Sequence, residues 1–291
     1  MCELDQLSEM GGAAPSVNRR QFAALGAFAA FAAASAPLDA ALAAEGLVEG
    51  MVKFPAPGGT MDAFFVHPAK GKHPAVIMWP DIASLRDAFK AMARRLASAG
   101  YSVIVPNPFY RDAPAPQFAD FDAFRKDNGF QKVGPWMAHN TPQAIADTSK
   151  AVVAWLDKQP SVDTKRGVGV QGYCMSGTWT VRTAAAVPGR VKAGAGFHPG
   201  NGWGGDGPDT PLKLFAQSRA SHFLALAQND DKQQPTIKDQ IKAAADAAHR
   251  PATVEVYHAD HGWTVADSPV YNKDEAERAW SNMLALFSKA L

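Results

Sequence analysis

The chain has 291 residues, 47% of them apolar and 20% charged, with 24 Gly, 21 Pro and 2 Cys. Those proportions exclude a disordered tail, a collagen-like fibre and a disulfide scaffold, and they supply enough apolar side chains for a sizeable core. With 29 basic against 28 acidic residues the formal charge is +1, so no basic excess draws the chain to nucleic acid or anionic lipid.

Residues 1–44 predict a cleaved signal peptide of the twin-arginine type. Arg19 and Arg20 precede an uncharged, Ala-rich run from Phe22 to Leu38, and Ala41-Leu42-Ala43 offers the small-x-small pattern of a cleavage site. The run is too short and too rich in Ala for a stable membrane anchor. The expected location is periplasmic or secreted, and the precursor's expected partner is the twin-arginine export machinery. Cleavage removes two arginines and four acidic residues, taking 29 basic and 28 acidic residues to 27 and 24. It also discards Cys2, so Cys174 is left as a single thiol with no disulfide partner.

Residues 45–291 read as one domain. Val48–Phe54 and Met61–His67, joined through Pro-Gly-Gly, predict a hairpin. Pro74–Trp79 is a continuous apolar run of the kind buried on both faces of a sheet, and Tyr101–Val105 is another buried strand. Between them Leu85, Phe89, Met92 and Leu96 recur at helical spacing up to Gly100. Residues 111–140 carry three prolines and predict an irregular excursion over the surface. Thr141-Pro142 opens a helix, and Arg166–Tyr173 predicts a strand running into Cys174, followed by a helix to about Val187. Strands over Lys192–Phe197, Phe223–Ala227 and Thr253–His258 follow, with a Gly-rich loop at 200–208, a helix over Thr236–Ala248 and a terminal helix over 273–291. Alternating strands and helices predict an α/β fold with a mostly parallel sheet, whose ligands sit at the carboxyl ends of the strands.

At one such end stands Gly172-Tyr173-Cys174-Met175-Ser176-Gly177. A nucleophile on a strand-to-helix turn needs small residues two before and two after it. Gly172 and Ser176 meet that need around Cys174, whereas Ser176 as nucleophile would be flanked by Cys174 and Thr178. The following helix N-terminus favours thiolate, and the Met175 N–H is placed as one oxyanion-hole donor. A small buried cysteine at a tight turn is the bland alternative. A thiolate nucleophile calls for a base and an orienting carboxylate. Asp230 and Asp231 follow one strand and His261 follows the last, both in the order of an α/β-hydrolase; the pattern does not discriminate between the two carboxylates, and His258 would still lie on its strand. His198, Tyr173 and Trp263 flank these positions as possible pocket residues. The remaining histidines show no metal-ligand spacing, so neither a metal nor an organic cofactor is expected.

The Gly-Tyr-Cys-x-x-Gly motif, the Asn-Asp-Asp loop at 229–231, the Asp-His-Gly-Trp segment at 260–263 and the Pro-Asn-Pro-Phe-Tyr-Arg stretch at 106–111 together resemble the dienelactone hydrolase family, over most of residues 48–291. The resemblance implies an α/β-hydrolase fold and an ester or lactone hydrolase using Cys174, His261 and Asp230. It implies that Asp81, where the family usually has Glu, contacts the resting thiol, and that the Ile82 N–H is the second oxyanion donor. Founding members hold a substrate carboxylate with arginines, one a few residues past the catalytic histidine; Gly-Trp-Thr-Val-Ala-Asp follows His261 here. Arg86 and Arg111 align with neither arginine and read as surface or salt-bridged. A non-catalytic binding or scaffold protein on the same fold is the alternative reading.

Overall fold

The computed structural model describes residues 46–291, and the predicted signal segment lies outside them. Eight strands form one sheet in the order β1-β2-β4-β3-β5-β6-β7-β8. They are β1 (Leu47–Ala56), β2 (Gly59–Pro68), β3 (Ala75–Trp79), β4 (Ser102–Pro106), β5 (Val168–Tyr173), β6 (Val191–Phe197), β7 (Ser221–Ala227) and β8 (Ala252–Tyr257). β1 pairs antiparallel with β2 and β2 with β4, and every pairing from β4 through β8 is parallel.

Apolar alternation divides the strands between two faces. Phe65, Ile77 and Ile104 point into one core cluster, and Phe64, Val66, Val76, Met78 and Val103 into the other, as successive side chains of a strand must. On the second face lie α1 (Asp87–Ser98), through Phe89, Ala93 and Leu96, and the terminal α9 (Lys273–Ala290), through Ala279, Met283 and Phe287. The first face carries α4 (Pro142–Leu156), capped by the Thr141 hydroxyl accepting from the Ala144 N–H, and α5 (Trp179–Ala186). An α/β-hydrolase architecture, with helices on both faces of a mostly parallel sheet, is therefore what the chain adopts.

Two segments differ from the sequence expectation. The stretch read as irregular contains α2 (Phe121–Lys126) and α3 (Gly129–Met137). Asp120 caps α2, and Phe118, Phe121 and Phe130 gather on Phe124 with centroids 5.0, 5.5 and 4.7 Å away; tertiary aromatic packing stabilises helices too short to form alone. The acidic segment after β7 is also helical, α7 (Gln228–Gln233), and short α6 (Pro211–Leu214) and α8 (Ile237–Ala247) complete the set.

Candidate active site

Four strands deliver their carboxyl ends to one rim: β3 leads to Asp81 and Ile82, β5 to Cys174, β7 to Asp230 and β8 to His261. Cys174 opens a single 3-10 turn, Cys174–Ser176, at φ +53°, a conformation few non-Gly residues adopt. The turn is crowded: a Cβ on Gly172 would come within 2.2 Å of the Ser176 carbonyl oxygen, and one on Gly177 within 2.6 Å of Pro199. Gly172 is required by that closeness, as the sharp turn predicts. The Ser176 hydroxyl is occupied, donating to the Trp79 carbonyl at 2.8 Å and accepting from the Tyr173 N–H at 2.9 Å. Ser176 thus braces the turn, and the thiol is the side chain presented.

His261 is oriented from two sides. Its Nδ1 lies 2.7 Å from Asp230 Oδ2, and its backbone N–H donates to Asn229 Oδ1 at 2.9 Å. Asp231 turns away to accept from Lys238 Nζ at 2.8 and 3.0 Å, which separates the two carboxylates that the sequence left open. Nε2 is buried with no aligned hydrogen bond, and it faces the Cys174 side chain, an arrangement common in unliganded catalytic pairs. Burial disfavours charge on the imidazole, but the adjacent Cys174 and the hydrogen bond to Asp230 outweigh it and raise its pKa well above the ordinary histidine value.

Asp81 departs from the expectation. Its carboxylate receives Arg86 Nη1 at 2.7 Å and Nη2 at 3.0 Å, and Oδ1 also accepts the Ala83 N–H at 2.9 Å. Among the described residues it makes no hydrogen bond to Cys174, because the buried guanidinium five residues away claims both oxygens. Of the two alternatives for Arg86 the salt-bridged one holds: the residue is fully buried, and it also grips Asp267 at 2.7 and 2.8 Å. Burial opposes its charge, and the two carboxylates more than offset that cost. Arg111 instead donates to Thr148 Oγ1 at 2.8 Å and packs over Tyr110. No turn or loop hydrogen bond among the described residues uses the Ile82 or Met175 N–H, which leaves both amides available at the rim.

None of the three possible pocket residues lines the cavity beside Met175. Tyr173 packs on the other face of the sheet, stacked on Phe197 at 4.9 Å, and Trp263 stacks on Tyr257 at 4.7 Å; alternation along β5 sends Tyr173 away from the thiol. His198 is fully buried against Cys174 and His261. A cavity of about 510 Å³ opens instead beside Met175, walled by Met137, Ile145, Trp179 and Arg182. Sequence reading named Asn229 within the Asn-Asp-Asp segment but gave it no role, and it missed Asp267 and this wall.

A family model for the dienelactone hydrolase family matches residues 61–291. The chain belongs to the dienelactone hydrolase family. A relative from Methylorubrum extorquens, provisionally named a carboxymethylenebutenolidase, is 27% identical over 279 residues, covering 92% of this chain and 91% of its own. The carboxymethylenebutenolidase of Pseudomonas sp. strain P51 is 24% identical over 244 residues, covering 84% and 96%. Among solved structures, one from Klebsiella pneumoniae provisionally named a dienelactone hydrolase superposes with a TM-score of 0.70 at 23% identity, covering 84% of this chain and 99% of its own. That likeness supports the fold; the family match makes the chain a dienelactone-hydrolase-type hydrolase. Among the described residues no group of His, Cys, Asp and Glu is placed to hold a metal, and no helix is long and apolar enough to cross a membrane.

Proposed function

We propose that this dienelactone hydrolase family member cleaves a carboxylic ester or lactone through a cysteinyl acyl-enzyme. The observation that carries the reading is the 2.7 Å contact between Asp230 and His261 Nδ1, which turns an otherwise unpartnered Nε2 toward a strained, buried Cys174. The Cys174 thiolate attacks the carbonyl carbon, and its C–S bond forms as the carbonyl becomes an oxyanion held by the Met175 and Ile82 amides. Each such donor contributes roughly 3–4 kcal/mol to lowering the barrier. Collapse expels the alkoxide, which takes the proton from His261 Nε2; the neutral imidazole then draws a proton from water as hydroxide attacks the thioester and releases Cys174. Asp230 keeps the imidazole in the Nδ1–H tautomer throughout.

Met137, Ile145, Met175 and Trp179 give the cavity a large apolar share of its wall, which favours esters with a bulky apolar group on one side of the carbonyl. A panel of aryl esters and lactones, tested on the wild type and on Cys174→Ala, decides the matter. Turnover by the wild type and its loss in the variant are expected; equal turnover by the two would overturn the triad. The reading includes export: the twin-arginine pattern and the Ala-rich run support a mature periplasmic chain. Mass spectrometry of the periplasmic fraction should find an N-terminus close to residue 44, and a full-length cytoplasmic product would refute it.

A further inference from the structure

His198 directly follows β6 at φ +35°, fully buried and followed by Pro199. It stands in the left-handed region that few non-Gly residues enter without a compensating reason. The compensation is visible around Cys174. The Cys174 backbone N–H donates to His198 Nδ1 at 3.2 Å, while the Cys174 carbonyl accepts the Gly200 N–H at 3.3 Å. Both peptide groups of the nucleophile are therefore gripped by one turn, 198–200, and Pro199 presses on Gly177 from the same side.

The other ring nitrogen reaches the base. His198 Nε2 lies 2.7 Å from Thr264 Oγ1, three residues past His261, and the two imidazoles meet edge to face with centroids 4.9 Å apart. A backbone N–H can only donate, so Nδ1 is the acceptor, and the proton of the neutral ring sits on Nε2, donated to Thr264. Protonating Nδ1 would turn an acceptor into a second donor and break the hold on Cys174. The titratable groups facing the ring are Cys174, Tyr173 and His261. Burial, reinforced by the His261 charge, pushes its pKa well below the ordinary histidine value, which preserves the neutral form.

We propose that His198 is a positioning residue that holds the nucleophile turn and the histidine loop in register through its two ring nitrogens. The proposal rests on Cys174 being the nucleophile. His198 touches no reacting atom; it fixes where the thiol stands relative to His261 Nε2, and a misplacement of about 1 Å costs on the order of 100-fold in rate. The two arms are separable. In His198→Asn the side-chain oxygen takes the place of Nδ1, and Asn tolerates the left-handed backbone. His198→Gln reaches toward Thr264 and offers Cys174 no acceptor at that place.

Aryl ester kinetics on the wild type, His198→Ala, His198→Asn and His198→Gln form the test. His198→Ala is expected to lower kcat about 100-fold with KM little changed, and His198→Asn to recover to within about tenfold of wild type, while His198→Gln stays as slow as Ala. Wild-type kcat in the Ala variant, or an Asn variant no faster than Gln, would overturn the proposal. Nitrogen-15 NMR of labelled histidine, with the His198 signals assigned as those lost in His198→Asn, is the second measurement, expected to show that ring neutral and protonated at Nε2 at neutral pH. A proton on Nδ1 of that ring would overturn the proposal without reference to turnover. If wild type hydrolyses nothing in the panel, the ester reading fails while the spectrum still judges His198; if His198→Ala does not fold, the Asn–Gln pair and the spectrum decide.

Discussion

Arg86 holds Asp81 through two hydrogen bonds of 2.7 and 3.0 Å with no solvent on the guanidinium, and the same guanidinium reaches Asp267 six residues beyond His261. Asp267 in turn accepts the Phe121 N–H at 3.1 Å. One cation thus joins the loop that carries the Ile82 amide, the loop that carries His261 and the start of the α2 segment.

Removing that cation strands two carboxylates, one of them buried. Arg86→Met should therefore lose about 3–5 kcal/mol of stability, read as a lower urea midpoint at unchanged slope. A variant as stable as wild type would mean that water reaches Asp81 and Asp267 readily, contrary to the burial of the site. Asp267→Asn keeps one oxygen acceptor for Arg86 and should lose less.

Adjacent acids after β7 should behave oppositely. Asp230→Asn offers no carboxylate to hold the imidazole in its productive tautomer, and kcat on an aryl ester is expected to fall on the order of 10⁴-fold. Asp231→Asn removes only a partly exposed pair with Lys238, worth about 1 kcal/mol or less in stability. Steady-state kinetics of the two variants side by side would reverse the assignment if Asp231→Asn were the slower.

The raised pKa of His261 gives a pH dependence of definite sign. Cys174 charge and Asp230 favour the imidazolium against the cost of burial, so the folded state binds this proton more tightly than the unfolded chain. That contribution to stability is fully present below the ordinary histidine value of about 6.5 and is lost as pH rises through the raised value. Urea midpoints measured across pH should fall on that alkaline limb in the wild type. In Cys174→Ala the thiolate charge is gone, and the limb should shift toward lower pH. An unshifted limb would place the stabilising charge somewhere other than Cys174.

Most of what positions the chemistry was legible in local sequence. The buried strand Ala75–Trp79 announces itself as an unbroken apolar run, and Gly172 two residues before Cys174 marks a turn that a side chain would block. What escaped depends on partners distant in the chain. Asp81 aligned with a family acid, yet its behaviour is dictated by Arg86, whose other partner lies 181 residues away. Asp230 and Asp231 are chemically identical neighbours on one helical turn, roughly 100° apart around its axis, and the choice between them belongs to His261 and Lys238. α2 and α3 hold together through an aromatic cluster, not through helix propensity, so their prolines and short length concealed them.

The antiparallel hairpin has a bearing on how the enzyme can be attached to something else. β1 runs antiparallel to β2, and β2 antiparallel to β4, so Leu47 begins level with Pro68, beside the amino end of the parallel strands. Cys174, Asp230 and His261 stand at the carboxyl ends. A tether, affinity tag or fusion partner joined just ahead of Gly46 thus enters at the end of the sheet opposite the rim of Cys174, Asp230 and His261, and immobilisation through that point leaves this rim facing free solution.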